Sequence, residues 1–454
     1  MRILHYALGF PPYRSGGLTK FCIDLIKQQS ADGHETAMLW PGRMGLSGKK
    51  VSVKKTLIPI DGNSCFIQSF EVCNPLPMPY DEGITKFQAF TKDAETESYE
   101  RLLKDFCPHI IHIHTLMGLH KSFLEAARKR NIRCVFTAHD YFPICPVVTL
   151  FSQGQVCAAA KDCSQCGECS SRALALWKIR VLQSPVYRKL KDSPLVRGLR
   201  KHHRDRHLRG RTADSGRQLS TTAADYRRLR NYYYSLLTYM DCIHYNSTLT
   251  KTVYEQHFQF SDTAVIPISH GDIQDNRRKR EFPEDQLRLL YLGPKGAAKG
   301  FFLLQEALDR LWELRQNFYL DIYFQLANPS PYMRTHRKYT GSELETVFAH
   351  TDLLIMPSLW QETFGYGVLE ALSYGVPVLI SGNVGAKDIL VLGAGMVIED
   401  INANKLYEVL TRIDSRQLAE MNQVILKKQK ILSMRESASA IEKLCYRHSS
   451  LGDE

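Results

Sequence analysis

What this 454-residue sequence lacks narrows its class first. No apolar run approaches the ~20 residues that a membrane-spanning helix needs. The apolar stretch Cys134 to Phe151 is broken by His139, Asp140, Pro143 and Pro146, and reads as a strand and a loop. A secretory leader is not evident either. Met1 to Phe10 carries one basic residue and a short apolar run before Pro11-Pro12, the pattern of a first strand. There is no internal repeat and no low-complexity tract, which sets aside solenoids and disordered scaffolds. Outside one segment the chain also lacks net charge. Sixteen Lys/Arg and four Asp lie between Lys178 and Arg230; elsewhere acids and bases balance.

Hydrophobic content of 44% and charged content of 23% are those of a soluble globular protein with length enough for two cored domains. Twelve cysteines in so long a chain point to reduced thiols or a metal site rather than a disulfide framework. Five of them, Cys145, Cys157, Cys163, Cys166 and Cys169, lie close together, and "CSQCGEC" holds two overlapping C-x2-C units. Four thiolates suit tetrahedral zinc or an iron–sulfur cluster. The expected ligands are Cys157, Cys163, Cys166 and Cys169, with Cys145 as substitute. The plainer alternative is a set of free thiols in a loop.

Short buried strands alternate with helical stretches along the chain: "RILHYAL", "ETAMLW", "HIIHIHT", "RCVFTAHD", "CIHYNS", "AVIPIS", "LRLLYLG", "YLDIYFQ", "DLLIMPS", "VPVLIS" and "GMVIE". Such alternation predicts parallel sheets covered by helices on both faces. Eleven strands exceed one sheet, so the expectation is an α/β protein with two Rossmann-like, doubly wound domains facing a cleft. The predicted domains are 1–262, with an insertion at about 145–231, and 263–425, followed by a C-terminal helix over 426–454.

The chemistry concentrates in "QETFGYGVLEALSYGVPV", Gln361 to Val378. "TDLLIMPS" before it reads as a strand, "VLEALSYG" as a helix ending at Gly375, and "VPVLISG" as the next strand. Gly365 and Gly367 then lie in a loop at a strand's carboxyl end and a helix N-terminus. Unpaired N–H groups and the helix dipole there suit a phosphate. Glu362 and Glu370 can each hold a vicinal diol through a forked pair of hydrogen bonds. Phosphate, ribose diol and sugar diol together describe a nucleotide-sugar. The whole stretch resembles the signature of glycosyltransferase family 4, a Glu-x7-Glu element followed by Gly-x-Pro-Val.

Further positions fit that resemblance. Gly16-Gly17 opens a helix after the first strand, as a glycine pair does in the family's first loop. His139 ends a buried strand where such sheets contact ligands, and a similar family histidine touches the donor sugar. Asp140 is a candidate for fixing its imidazole, whereas His112 and His114 read as strand-end packing. In "LRLLYLGPKGAAKGFF" the family's phosphate-gripping lysine corresponds to Lys299, before Gly300. Its arginine is replaced by Pro294, which offers no donor; Lys295 could supply charge from the next position.

The resemblance covers 1 to about 142 and about 236 to 400. It implies a GT-B fold and a retaining sugar transfer from a nucleotide diphosphate sugar of UDP or GDP type, without a catalytic metal, to a glycan or lipid-linked glycan. In that scheme Lys299 and the loop around Phe364, Gly365, Tyr366 and Gly367 take the phosphates, Glu370 the ribose, and Glu362 and His139 the sugar. Residues 178–230 would rest on anionic lipid, with the protein cytoplasmic and peripheral to the membrane. Two rivals are a GT-B protein with altered or no transferase activity, kept open by Pro294, and a nucleic-acid binder, which would leave the paired glutamates unused.

Overall fold

The central strands form on short apolar runs between turn signals, and shorter or more polar strands lie outside the sheet centres. In the computed structural model, which describes residues 1–11, 14–45, 50–60, 65–79, 82–158, 161–190, 193, 198 and 221–447, these are β1 (Arg2–Tyr6), β2 (Glu35–Pro41), β3 (Ser52–Ile60), β4 (Cys65–Cys73), β5 (Ile110–Ile113), β6 (Arg133–Ala138), β7 (Phe151–Ser152), β8 (Gln155–Val156), β9 (Cys242–Tyr245), β10 (Thr263–Val265), β11 (Leu287–Tyr291), β12 (Phe318–Ile322), β13 (Met333–Thr335), β14 (Leu353–Met356), β15 (Val378–Ser381) and β16 (Gly395–Ile398). Each of the eleven stretches read as strands overlaps one of these. The chain divides into two units, residues 1–149 with 158–243, and 150–157 with 244–454.

One sheet runs β10-β9-β6-β5-β1-β2-β4-β3. Its centre is parallel: β1 lies between β5 and β2, with His5 opposite His112. β3 runs antiparallel to β4 at the edge. β3 carries Lys54, Lys55 and Pro59 and leaves Leu57 64% exposed, features that suit an edge and disguise a strand in the sequence. The helix Gly17–Ala31 turns Phe21, Cys22, Leu25, Ile26 and Gln29 inward.

The second unit holds a sheet in the order β13-β12-β11-β14-β15-β16, all parallel. Helices on both faces explain the unbroken apolar runs "LLIM" and "VLIS", almost wholly buried. The helix Phe301–Leu314 packs Phe301, Leu304, Leu308 and Leu311 into this core, an i, i+3, i+4 stripe. Burying each leucine contributes roughly 1.5–3 kcal/mol.

The predicted insertion holds the hairpin β7–β8 and helices Cys166–Cys169, Leu176–Leu182, Pro185–Leu190 and Ala223–Leu237. The last of these opens on a capping box between Thr222 and Asp225. Within the basic segment, residues 191–220 fall outside the described residues apart from 193 and 198. Toward the C-terminus, helices Ser415–Lys428 and Met434–Ile441 lead into a π turn over Glu442–Tyr446, and 448–454 lie outside the described residues. Among the described residues no helix is long and apolar enough to cross a membrane.

Candidate functional site

The second unit gathers its candidates because β11 and β14 are neighbours, so their carboxyl-end loops meet. The backbone N–H groups of Leu359 and Trp360 both donate to the Ala298 carbonyl, at 2.9 and 3.0 Å. Gly300 is why the loops fit. It has φ +73°, and a Cβ there would lie 1.9 Å from the Pro357 carbonyl oxygen. Lys299 is thereby placed with its Nζ 2.5 Å from Glu362 Oε1. Ser358 Oγ donates to the other carboxylate oxygen at 2.9 Å, and Lys299 Nζ sits 4.7 Å from the Trp360 ring centre. The side chains of Lys299 and Glu362 are 25% and 13% exposed, so the pair is open to a ligand at one edge. Trp360 Nε1 is buried with no acceptor among the described residues.

Glu362 is fixed by its backbone as well. Its N–H donates to Asn383 at 2.8 Å, and its carbonyl accepts from Gly385 at 2.9 Å. The Thr363 carbonyl accepts from Ser247 Oγ and Thr250 Oγ1, and the Phe364 carbonyl from the Ala386 N–H. Phe364 itself is buried. Gly365, at φ +101°, starts the helix Tyr366–Ser373, whose N-terminus no side chain caps. A Cβ on Gly365 would crowd Val384 and Met356. The amides of Tyr366 and Gly367 thus open the helix beside the Lys299–Glu362 pair, the polarity that favours an anion. One turn on, Glu370 Oε1 lies 3.1 Å from His270 Nε2, and the His270 ring meets Tyr366 edge-on at 5.0 Å. Pro294 and Lys295 are exposed; the Pro294 carbonyl accepts from Tyr291 Oη at 2.9 Å, and Lys295 Nζ is 6.0 Å from the Phe302 ring centre.

Sequence reasoning missed three contributors here. His270 is 100 residues from Glu370 and reaches it only through the fold, whereas Ser358 and Trp360 are near neighbours of Glu362 in the chain whose side-chain directions spacing does not give. His270, alone after a strand in "PISHGD", carried the one legible signal.

In the first unit Gly16, at φ +123°, starts the helix Gly17–Ala31, again with no side-chain cap. The helix covers a cluster of imidazoles rather than one histidine. His139 follows β6, and its Nε2 is 3.2 Å from His114 Nδ1. His114 Nε2 is 3.1 Å from His5 Nδ1, and His5 Nε2 is 2.9 Å from Gln29 Oε1. His112 stacks on His114 at 4.2 Å and meets Thr137 Oγ1 at 2.6 Å. His114, buried at its strand end, is thus hydrogen-bonded as well as packed. Burial lowers His5 to about 3, so it stays neutral at pH 7. Burial pushes Asp140 up to about 6, although its Oδ1 accepts from the Phe142 N–H at 2.9 Å.

Among the described residues one group places three metal-ligand atoms within 4.8 Å of one another: His5, Cys22 and His114. The cysteine cluster does not meet that measure. Cys163 and Cys166 are hydrogen-bonded, which lowers Cys163 to about 7 and raises Cys166; Cys145 also acts on Cys166. Cys157 belongs to the second unit, whereas Cys145, Cys163, Cys166 and Cys169 belong to the first.

Two family models match this chain, "Glycosyltransferase Family 4" over 15–155 and "Glycosyl transferases group 1" over 335–430. The first spans His139 and the second Glu362 and Glu370; Lys299 lies between them. A solved structure of the Anabaena protein HepE in complex with UDP-glucose shares the fold, with a TM-score of 0.53 at 12% identity over 98% of this chain and 99% of that one. The architecture is GT-B. The chain belongs to the GT4-type glycosyltransferases. It is also similar to a 41.2 kDa protein in the cps region of Klebsiella pneumoniae, 38% identical over 15% of this chain, and to the sulfoquinovosyl transferase SQD2 of Arabidopsis thaliana, 34% identical over 24%. The aligned stretches span 20% and 22% of those relatives.

Proposed function

We propose that this protein transfers a sugar, with retained configuration, from a nucleotide diphosphate sugar to a glycan or lipid-linked glycan. One observation carries the reading: Lys299, Glu362 and the uncapped N-terminus of the helix Tyr366–Ser373 converge at the carboxyl ends of β11 and β14, with Glu370 one turn further. Lys299 and the helix amides take the diphosphate, Glu370 the ribose diol, and Glu362 the sugar. His139 is the donor-sugar contact of the first unit, and Gly16-Gly17 lets backbone approach the substrate. Transfer needs no enzyme nucleophile: orientation and stabilisation of the departing diphosphate supply the rate. UDP is the favoured nucleotide because HepE binds UDP-glucose on the same fold. Incubating the protein with UDP- and GDP-sugars and a lipid-linked glycan, then measuring nucleoside diphosphate release and product anomers by NMR, tests this. Release with inversion removes the retaining assignment; no release from any donor removes the transferase reading.

Pro294 favours a second reading, a nucleotide-sugar binder without transfer, because proline cannot replace an arginine fork. Donor binding without turnover would establish it. We also propose a structural zinc or iron–sulfur centre at the cysteine cluster, on the spacing of its C-x2-C units; elemental analysis finding neither metal in anaerobically purified protein would remove it. Docking of residues 178–230 on anionic lipid rests on their charge, and equal sedimentation with neutral and acidic vesicles would contradict it.

A further inference from the structure

The two short helices Leu176–Leu182 and Pro185–Leu190 turn apolar side chains outward. Trp177, Val181, Val186 and Leu190 are 64%, 42%, 65% and 51% exposed. Among the described residues, no other stretch of that length exposes more than two large apolar side chains so far. The opposite side of these helices is held. Ile179 is buried, and the buried Gln183 accepts from the Met78 N–H through Oε1 and from the Met44 N–H through its carbonyl, both at 3.1 Å. At the start of the second helix Ser184 Oγ accepts from the Tyr187 N–H at 3.1 Å. Anchored backbone therefore presents the exposed side chains.

Each residue of a helix advances about 100° around its axis. Trp177 and Val181 are then about 40° apart, and Ile179 lies diametrically opposite their midline. Lys178 and Arg180, both exposed, lie about 80° to either side of it. The result is an apolar crest with a cation on each flank. Lys178 Nζ lies 5.7 Å from the Trp177 ring centre. Val186 and Leu190 repeat the i, i+4 spacing in the second helix. The core of a protein interface is depleted of charge. At a bilayer surface, by contrast, a tryptophan ring settles at headgroup level, and Lys and Arg lay their stems along apolar surface with the charge in the headgroup layer. Residues 178–230 carry sixteen bases and four acids, the complement of an anionic membrane.

We propose that these two helices form an interfacial anchor: Trp177, Val181, Val186 and Leu190 enter the acyl boundary of an anionic bilayer while Lys178 and Arg180 stay at its headgroups. Insertion rests on the lipid docking proposed above and adds to it an apolar, salt-resistant component. Of the four tryptophans only Trp177 is exposed, so a change in emission reports it. With the full-length protein, vesicles of phosphatidylglycerol and phosphatidylcholine should shift the emission to the blue, and lipids brominated high in the acyl chain should quench it. Trp177→Phe should remove both responses and keep sedimentation with the vesicles. Part of that sedimentation should survive about 1 M salt, where charges are screened beyond about 3 Å. Trp177→Ser with Val181→Ser, and separately Val186→Ser with Leu190→Ser, should each weaken partitioning roughly ten- to hundredfold and leave the urea midpoint unchanged. Lys178→Gln with Arg180→Gln should weaken it at low salt, by roughly tenfold or more. Sedimentation with acidic vesicles that brings no change in emission, or that vanishes at about 1 M salt, overturns insertion and leaves docking by charge. Sedimentation with neither acidic nor neutral vesicles overturns both. Unchanged partitioning in the Val186 and Leu190 variant removes the second helix from the anchor. A salt-stable dimer by analytical ultracentrifugation, lost in the Trp177 and Val181 variant and formed in place of vesicle binding, would assign the face to a second copy of this chain and overturn the anchor.

Discussion

Lys299→Met separates a structural ion pair from a phosphate-binding lysine. Methionine keeps the unbranched stem and removes the charge. In the folded chain Nζ lies 2.5 Å from Glu362 Oε1, and the side chains are 25% and 13% exposed. A surface pair contributes roughly 0–1 kcal/mol, and breaking a fully buried one costs about 3–5. This pair is partly open, and Glu362 keeps its bond from Ser358, so the expected loss of stability is about 1 kcal/mol. The functional cost should be larger. Negative charge grows on the departing diphosphate, and removing one preorganised group that meets it costs roughly 10²- to 10³-fold in kcat. Ground-state affinity should fall less, on the order of tenfold for one charge-assisted hydrogen bond. Urea unfolding, calorimetry with UDP and nucleoside diphosphate release measure the three quantities. A stability loss above about 3 kcal/mol with UDP affinity and turnover unchanged would refute the reasoning and leave Lys299 a structural residue.

Gly300→Ala should destabilise the second unit by roughly 2–4 kcal/mol, from the left-handed backbone and the approach to the Pro357 carbonyl. A change under about 0.5 kcal/mol by urea unfolding would contradict that contact. The pH dependence has a definite sign. Burial lowers His5 to about 3 and His120 and His244 to about 4, so below their ordinary value of 6.5 the unfolded chain binds more protons. Stability contributed by each is present above 6.5 and is lost as pH falls, by about 1 kcal/mol apiece at pH 5.5. Asp140, raised to about 6 by burial, acts oppositely: it returns stability as pH falls through 6, somewhat under about 1 kcal/mol of it between pH 7 and pH 5.5. A lower urea midpoint at pH 5.5 than at pH 7 is expected, and an equal or higher one would count against the burial of these imidazoles.

What was legible in the sequence was local. Strand alternation and the spacing from Gln361 to Val378 were enough to place the elements and both glutamates. β3 and β4 were not seen, because an edge pair carrying Lys54, Lys55, Gln68 and Glu71 lacks the apolar continuity of a buried strand. The pairing of Lys299 with Glu362 depends on β11 lying beside β14, a long-range fact that spacing does not carry. The same holds for His5. "RILHY" gives no hint of a partner 109 residues away, although three histidines of one parity on neighbouring strands would have been a signal once the strand order was known. C-x2-C spacing likewise says which thiols are near in sequence, not which sulfurs converge.

The central claim is that the second unit binds a nucleotide through Glu370, and titration of UDP into the protein by calorimetry tests it most directly. Glu370→Gln keeps an oxygen for His270 Nε2 at 3.1 Å while removing the charge and half of the accepting fork. Glu370→Ala removes both, at roughly 1.5–3 kcal/mol for each hydrogen bond to the charged carboxylate. The account predicts measurable binding to the parent protein, a loss of roughly tenfold in the glutamine variant, and a loss beyond a hundredfold in the alanine variant whose fold is retained. UDP bound equally by all three proteins would contradict it.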